Sequence, residues 1–240
     1  MNYGIQLYSV RDLAENNLGE AVKRVAELGY NSVEFAGFFG HSADKVKEML
    51  LKNNITVSGT HSGLNDLIDN YEEAVAYHKA IGNKLYIIPG HDLDSQDKLD
   101  KFVSDVSVIS KRLADDGITL AYHNHAHEFK QNADGSFIYE QLIYRTDLKF
   151  ELDTFWAFVG MKNPIAMLER IKDRLCCIHI KDGFADGAGM PLGMGDAPVA
   201  GVYSYCIENN INMVVESETC KPDGITEADI CIKYLRSLEK

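Results

Sequence analysis

Basic side chains are scarce in this chain. Lysine and arginine number 24 against 36 aspartates and glutamates, a formal net charge of −12, and such a field repels phosphate backbones and anionic membrane surfaces. Nucleic acid is therefore not an expected partner. The five cysteines are an odd number with no regular framework, and Cys176 and Cys177 are adjacent in an apolar run, which excludes a disulfide scaffold and points to a reducing, cytoplasmic compartment. No apolar run approaches the ~20 residues needed to cross a bilayer. The chain opens on a strand-like segment, without a charged n-region and apolar h-region, so neither a membrane nor export is expected. Prolines number only five, and no Ser/Pro/Gly-rich linker, low-complexity tract or charge block interrupts the sequence, so one domain over 1–240 is expected. GxSxG, GxxxxGK[ST], HExxH and paired CxxC motifs are all missing, which removes the main support for serine hydrolase, P-loop, zincin and zinc-ribbon chemistry.

What is present is regular alternation. Short β-branched or apolar runs begin near Gly4, Ser32, Ile55, Lys84, Ile118, Lys149, Cys177 and Asn212, and between them lie apolar stripes at helical spacing. The clearest stripe runs Leu99, Phe102, Val103, Val106, Ile109 and Leu113 behind Ser95 as N-cap, closed by Asp116-Gly117. Another, Leu18, Ala21, Val22, Val25 and Leu28, ends at Gly29 in a C′ position. Asn163-Pro164 opens a third, with proline at N1, and Ser42 and Thr226 open two more. Eight strand-helix units in 240 residues predict a parallel sheet with right-handed crossovers, closed as a single (β/α)8 TIM barrel. A doubly wound sheet is disfavoured because Tyr8-Ser9-Val10-Arg11 follows the first strand where GxGxxG would stand. One irregular stretch, rich in Gly and Met, runs from Gly183 to Val199.

A barrel of this kind does its chemistry where the C-terminal strand ends converge. The polar residues expected there are Gln6 and Tyr8 on strand one, Glu34 on two, His61 on three, His91 just after four, His123, His125 and His127 on five, Asp153 on six, His179 and Lys181 on seven, and Glu216 and Glu218 on eight. Six of the eight histidines fall in this set. Residues two apart share a strand face, so His123 projects with His125, His179 with Lys181, and Glu216 with Glu218. Charged groups in a barrel lumen are costly unless they bind an ion, a substrate or one another. Asp153, His179 and Glu216 on consecutive strands, with a fourth group from strand five, make a mixed N/O set suited to one divalent ion such as Mn²⁺, Co²⁺, Zn²⁺ or Fe²⁺. Structural roles compete: Glu34 paired with a basic neighbour, Lys181 paired with Asp182 or another carboxylate, Glu218 solvated, His127 and Glu128 exposed near a loop, His41 and His78 as surface or helix residues, and Trp156 as rim packing. The only cysteine near a strand end is Cys220.

These residues resemble the xylose isomerase-like barrel superfamily, specifically its sugar phosphate isomerase/epimerase group, along essentially the whole chain. The likeness rests on Gly4-Ile5-Gln6-Leu7-Tyr8-Ser9-Val10-Arg11-Asp12, Tyr122-His123-Asn124-His125 with Glu128-Phe129, Phe150-Glu151-Leu152-Asp153, His179-Ile180-Lys181-Asp182, Pro191-Leu192-Gly193-Met194-Gly195 and Val214-Val215-Glu216. The resemblance implies one divalent metal held by a glutamate, an aspartate, a histidine and a second glutamate on strands five to eight. Asp153, His179 and Glu216 match the last three. The chain departs at the first, where Glu-Asn-His is replaced by His123-Asn124-His125, so that His123, His125 or Glu128 would supply the fourth ligand. A histidine after the strand-six aspartate is replaced by Trp156, the sole tryptophan, which could form an apolar wall against a sugar face.

The resemblance further implies proton transfer next to a carbonyl of a small carbohydrate or cyclitol, through an enediolate, by an isomerase or epimerase. Glu216 is expected as acid/base, His123 as its counterpart and Lys181 as donor to an oxyanion, with Gln6, His61, His125 and Trp156 binding substrate. The His-rich fifth strand raises a rival: α-proton abstraction with elimination, as in inosose dehydratase-like or keto-glycoside-cleaving relatives. An apurinic endonuclease needs more ligands and a basic surface; a metal-free carbohydrate-binding barrel would not need Asp153, His179 and Glu216 together. Homo-oligomers through the outer helices are also implied.

Overall fold

The computed structural model describes residues 2–132 and 135–239. The expected domain of 1–240 thus includes Met1, Ala133, Asp134 and Lys240, which lie outside the described residues. Eight parallel strands close into a barrel: β1 Gly4–Gln6, β2 Ser32–Phe35, β3 Thr56–His61, β4 Leu85–Ile88, β5 Thr119–His123, β6 Lys149–Asp153, β7 Leu175–Ile180 and β8 Met213–Val215. Closure is made where β1 pairs with β8, Gly4 opposite Val214 and Ile5 opposite Val215. The predicted strands therefore all form, each within two residues of its expected start. Among the described residues, no helix is long and apolar enough to cross a membrane.

Helices run outside the barrel, and Gly29, Ser42, Ser95 and Asn163 end or open them as expected. Asn17 caps Leu18–Leu28, which stops at Gly29 in a left-handed conformation with φ 99°, a backbone that favours glycine. Ser42, Ser95 and Asn163 cap Ala43–Lys52, Gln96–Asp115 and Pro164–Ile171 through their side-chain oxygens. The last helix corrects the sequence reading. It spans Gly224–Leu238, and its N-cap is Asp223, whose carboxylate accepts from the Thr226 amide, so Thr226 lies inside the first turn.

Side-chain alternation sorts the barrel into an outer core and a lumen. Tyr86 and Ile88, Leu120 and Tyr122, Phe150 and Leu152, and Ile178 and Ile180 join the apolar layer under the helices. Their in-between neighbours Leu85, Ile87, Ala121 and Cys177 pack as a separate small cluster inside the barrel. Above that plug the lumen turns polar. Gly59 on β3 makes room for this change, because a Cβ there would stand 2.7 Å from Ile87 Cδ1 and 3.0 Å from Glu34 Oε2. His78, expected as a surface or helix residue, lies in the helix Tyr71–Ala80 and is buried against β3, its Nδ1 within 3.3 Å of Thr60 Oγ1 and 3.2 Å of Asn83 Nδ2. Burial pushes its imidazole down to about 4.

The irregular Gly183–Val199 stretch is ordered by one carboxylate. Asp182 accepts the backbone N–H groups of Gly183, Gly193, Gly195 and Ala197 at 2.8, 2.8, 3.0 and 3.2 Å. A two-residue ribbon pairing Asp182–Gly183 with Gly189–Met190 adds to it. Asp182 is thus occupied with the loop, and the expected partner of Lys181 is found elsewhere.

Candidate metal centre and catalytic mouth

Each expected mouth residue sits at or just past a strand end, as parallel barrel geometry requires. Several lie beyond the strand and not on it. Tyr8 belongs to a 3-10 turn over Leu7–Val10, His125 and His127 follow the end of β5, Lys181 follows β7, and Glu216 and Glu218 follow β8.

His123, Asp153, His179 and Glu216 are all buried, and one ligand atom from each lies within 4.8 Å of the other three. Ligand atoms about 2.0–2.2 Å from a common ion need little closure from that spacing. The fit is supported by hydrogen bonds that are not made: both ring nitrogens of His123, Asp153 Oδ2 and His179 Nδ1 are buried without a hydrogen-bond partner. Buried polar atoms are normally satisfied, so one such atom from each of His123, Asp153 and His179, gathered beside Glu216, fits a cation. Burial pushes the His123 imidazole down to about 4, so it is neutral near pH 7 and keeps the lone pair a metal requires. Of the three residues expected to offer a fourth ligand, His123 is the one that clusters with Asp153, His179 and Glu216. Glu128, expected near an exposed loop, is fully buried and accepts from Tyr122 Oη at 2.9 Å and the His125 amide at 2.8 Å.

A second acidic layer lies one lumenal step below. Glu34 Oε1 accepts from Gln6 Nε2 at 2.7 Å and faces His179 Nε2 at 2.8 Å and His61 Nε2 at 3.2 Å. Glu151 Oε2 stands 2.8 Å from His61 Nε2 and 3.3 Å from His179 Nε2. Burial and the neighbouring Glu151 push the Glu34 carboxyl up. Burial also works against a charge on His179, but Glu151, Glu216 and Glu34 around it outweigh that and raise its imidazole well above the usual range. Nε2 points down to Glu34 and Nδ1 up to Glu216 at 3.3 Å. This is the arrangement in which a carboxylate fixes the tautomer of a metal-binding histidine.

His61, His123, Glu151 and His179 make an overlapping set, but there His61 and Glu151 already satisfy each other. Sequence reasoning missed Glu151. The signal was available: it is two residues before Asp153 and so shares its lumenal face. Gln6, expected to bind substrate, is fully buried, with its amide on Glu34 and its carbonyl oxygen accepting from the Tyr8 amide; it braces the lower layer. His91, expected at the mouth just after strand four, packs against Phe102 with ring centroids 5.0 Å apart.

A cavity of about 420 Å³ opens over the upper cluster, lined by Tyr8, His61, His123, His125, Glu216 and Glu218 among others. Lys181 is buried beneath it, with Nζ 3.3 Å from Glu216 Oε2, 2.5 Å from Glu218 Oε1 and 4.6 Å from the Trp156 ring centroid. Burial opposes its charge, but Glu216, Asp153 and Glu218 raise its pKa, so it stays an ammonium. Glu218 is therefore ion-paired and not merely solvated. His125 stands beside His123 with ring centroids 5.0 Å apart and 5.9 Å from Trp156, and burial pushes it down to about 4 as well. Trp156 Nε1 is buried without a partner.

If Glu34 fixes His179, its loss should weaken metal binding without emptying the upper cluster. Glu34→Leu is expected to lower affinity for Mn²⁺ or Co²⁺ by roughly 10–100-fold. Glu34→Gln, whose amide oxygen still accepts from His179, should retain most of it. Titration against a competing chelator reads both; equal affinity in wild type and Glu34→Leu would remove Glu34 from this role.

The closed (β/α)8 barrel with its polar C-terminal mouth defines the class of protein, a single α/β barrel. More narrowly, residues 22–238 match the model of the xylose isomerase-like TIM barrel, and the chain belongs to that family. It is similar in structure to a sugar phosphate isomerase/epimerase from Parabacteroides distasonis, at 21% identity and TM-score 0.83 over 98% of this chain and 93% of that one. It is similar to the probable 3-DHS dehydratase AsbF from Bacillus anthracis, at 13% identity and TM-score 0.77 over 98% and 99%. It is also similar to a D-allulose 3-epimerase from Methylomonas sp., at 13% identity and TM-score 0.74 over 99% and 96%. No curated protein matches the chain. At these identities the likenesses establish the fold, and the reaction has to be argued from the residues.

Proposed function

We propose that this chain is a divalent-metal-dependent isomerase or epimerase of a small keto-sugar or related carbohydrate, which moves a proton at the carbon next to the carbonyl through an enediolate. The observation that carries the reading is the convergence of one buried, hydrogen-bond-deficient atom from each of His123, Asp153 and His179 beside Glu216, under a cavity lined with acid/base groups. A divalent ion held by His123, Asp153, His179 and Glu216 would polarise the carbonyl and lower the pKa of the adjacent C–H. Glu216 is the first base: Oε2 faces His179 and Lys181, which leaves Oε1 to take the proton. The Lys181 ammonium donates to the oxygen that gains charge as the proton leaves. Glu216 then hands the proton it has taken to the adjacent carbon of the enediolate. His125, neutral near pH 7 and lining the same cavity, hydrogen-bonds a sugar hydroxyl, and His61 and Trp156 bound the sugar.

A second reading, α-proton abstraction followed by elimination, is favoured by the imidazole at 123, where the family resemblance implies a carboxylate. A single carboxylate base on one side of the mouth suits one-sided proton removal. Incubation in D₂O with Mn²⁺ or Co²⁺ and a panel of ketoses, 3-keto-sugars and inososes, followed by NMR, separates the two. Deuterium next to the carbonyl in a product of unchanged composition supports isomerisation or epimerisation, and deuterium with loss of water or a substituent supports elimination. No exchange on any member by metal-loaded protein would overturn both.

A further inference from the structure

A second cavity adjoins the first and takes no part in that chemistry. Its volume is about 500 Å³, it shares Gly37 and His61 with the catalytic mouth, and its remaining wall includes Phe38, Ala74 and Tyr77. Each cavity alone falls in the size range of a small-ligand site, roughly 300–1,000 Å³, so a single monosaccharide over the metal centre leaves this one unused. Phe38 and Tyr77 are only partly buried, and their ring centroids lie 4.4 Å apart. The Tyr77 hydroxyl is engaged by the His41 carbonyl at 2.7 Å, which leaves its ring as the part on offer. Gly37, at the junction, has φ 97° and open space around the position a Cβ would take, so the passage is unobstructed.

The charges at this wall are Asp66 and Glu73, with no lysine or arginine. The catalytic mouth carries Glu216 and Glu218 in its wall, with the Lys181 ammonium paired to both from beneath. A phosphate on the substituent would face Asp66 and Glu73 with no lysine or arginine at the side-cavity wall to offset it. His78, though it touches the side cavity, is held neutral by burial and by its contacts to Thr60 and Asn83, and supplies no positive charge.

We infer that the side cavity is a subsite for an uncharged aromatic or apolar substituent attached to the sugar, so that the natural substrate is a two-part, non-phosphorylated glycoside. This rests on the carbohydrate reading above: the sugar ring sits at the catalytic mouth, its substituent passes Gly37 and His61, and the substituent packs against Phe38, Ala74 and Tyr77. The subsite adds affinity by removing ring surface from water and by aromatic contact.

Binding without turnover tests this apart from the catalytic proposal. With the full chain, phenyl β-D-glucopyranoside and methyl β-D-glucopyranoside are titrated by ligand-observed saturation-transfer NMR. The phenyl compound should bind roughly five- to twentyfold tighter, with its strongest transfer at the phenyl protons. Ala74→Trp, which fills the subsite from a helix face, should abolish that advantage while leaving methyl glucoside affinity unchanged; Phe38→Ala, which empties it, should reduce the advantage. Thermal melts confirm that both variants fold. Equal binding of the two glycosides, or a phenyl advantage unaltered by both substitutions, would overturn the subsite. A preference for cellobiose or glucose 6-phosphate over the phenyl glucoside would overturn the assigned chemistry. Deuterium exchange without phenyl preference would sink the subsite alone, and phenyl preference without exchange would sink the reaction alone.

Discussion

Glu216→Gln should abolish deuterium exchange next to the carbonyl, by about 10³-fold or more, in protein that still folds. Removing one group that stabilises developing charge costs roughly 10²–10³ in rate, and here the same side chain is both base and candidate metal ligand. The amide keeps the shape of the carboxylate but can neither take a proton nor offset the Lys181 ammonium 3.3 Å away. Lys181 retains Glu218 at 2.5 Å, so the substitution does not leave a buried cation unpaired. Two readouts separate the roles. If Glu216 acts mainly as base, metal content holds while exchange disappears; if it acts mainly as ligand, both fall together. Full exchange activity in Glu216→Gln would remove it from the mechanism. His91→Phe serves as the control, because His91 packs on Phe102 outside the mouth and phenylalanine preserves that contact, so exchange should be unaffected.

The barrel was legible because its signals are local and repeated. A cap, a stripe at helical spacing and a β-branched run recur in each unit, and Asn17, Ser42, Ser95 and Asn163 behave as their residue types predict. Where the reading slipped, another residue competed for the same role. Asp223 displaced Thr226 as cap because a carboxylate three residues earlier reaches the amide. β7 begins at Leu175 and not at Cys177, where its register against β6 shifts between Phe150 and Glu151, and sequence gives no sign of such a shift. The mouth was legible in composition but not in depth. Spacing alone cannot tell that Gln6 and Glu34 stop one layer below the cavity while His179 reaches both layers, one ring nitrogen to each. Glu151 was missed because it was read as part of a motif, although alternation from Asp153 places it in the lumen. The burial of His78 was not legible because its helix shows only a weak apolar stripe, and the partners that bury it, Thr60 and Asn83, are distant in sequence.

Asp182→Ala should be the most destabilising single substitution near the mouth, costing about 2–4 kcal/mol. The Asp182 carboxylate accepts four backbone N–H groups, Gly183 and Ala197 on Oδ1 and Gly193 and Gly195 on Oδ2. Alanine would leave all four without a partner, and a buried donor left unsatisfied costs about 1–3 kcal/mol. The total stays below four times that value because part of the loop can turn its amides to water. No small shift restores the loss, since a Cβ at Gly195 would stand 2.4 Å from Asp182 Oδ1 and from the Gly183 amide nitrogen, so the loop is packed tightly on the carboxylate. Asp182→Asn divides the effect. Its oxygen can serve one pair of N–H groups, but its NH₂ then faces the other pair, donor against donor, and about half the loss is expected. Denaturant midpoints at constant slope measure both costs. If Asp182→Ala unfolds within about 0.5 kcal/mol of wild type, a scale typical of surface substitutions, the loop is held by something other than this carboxylate.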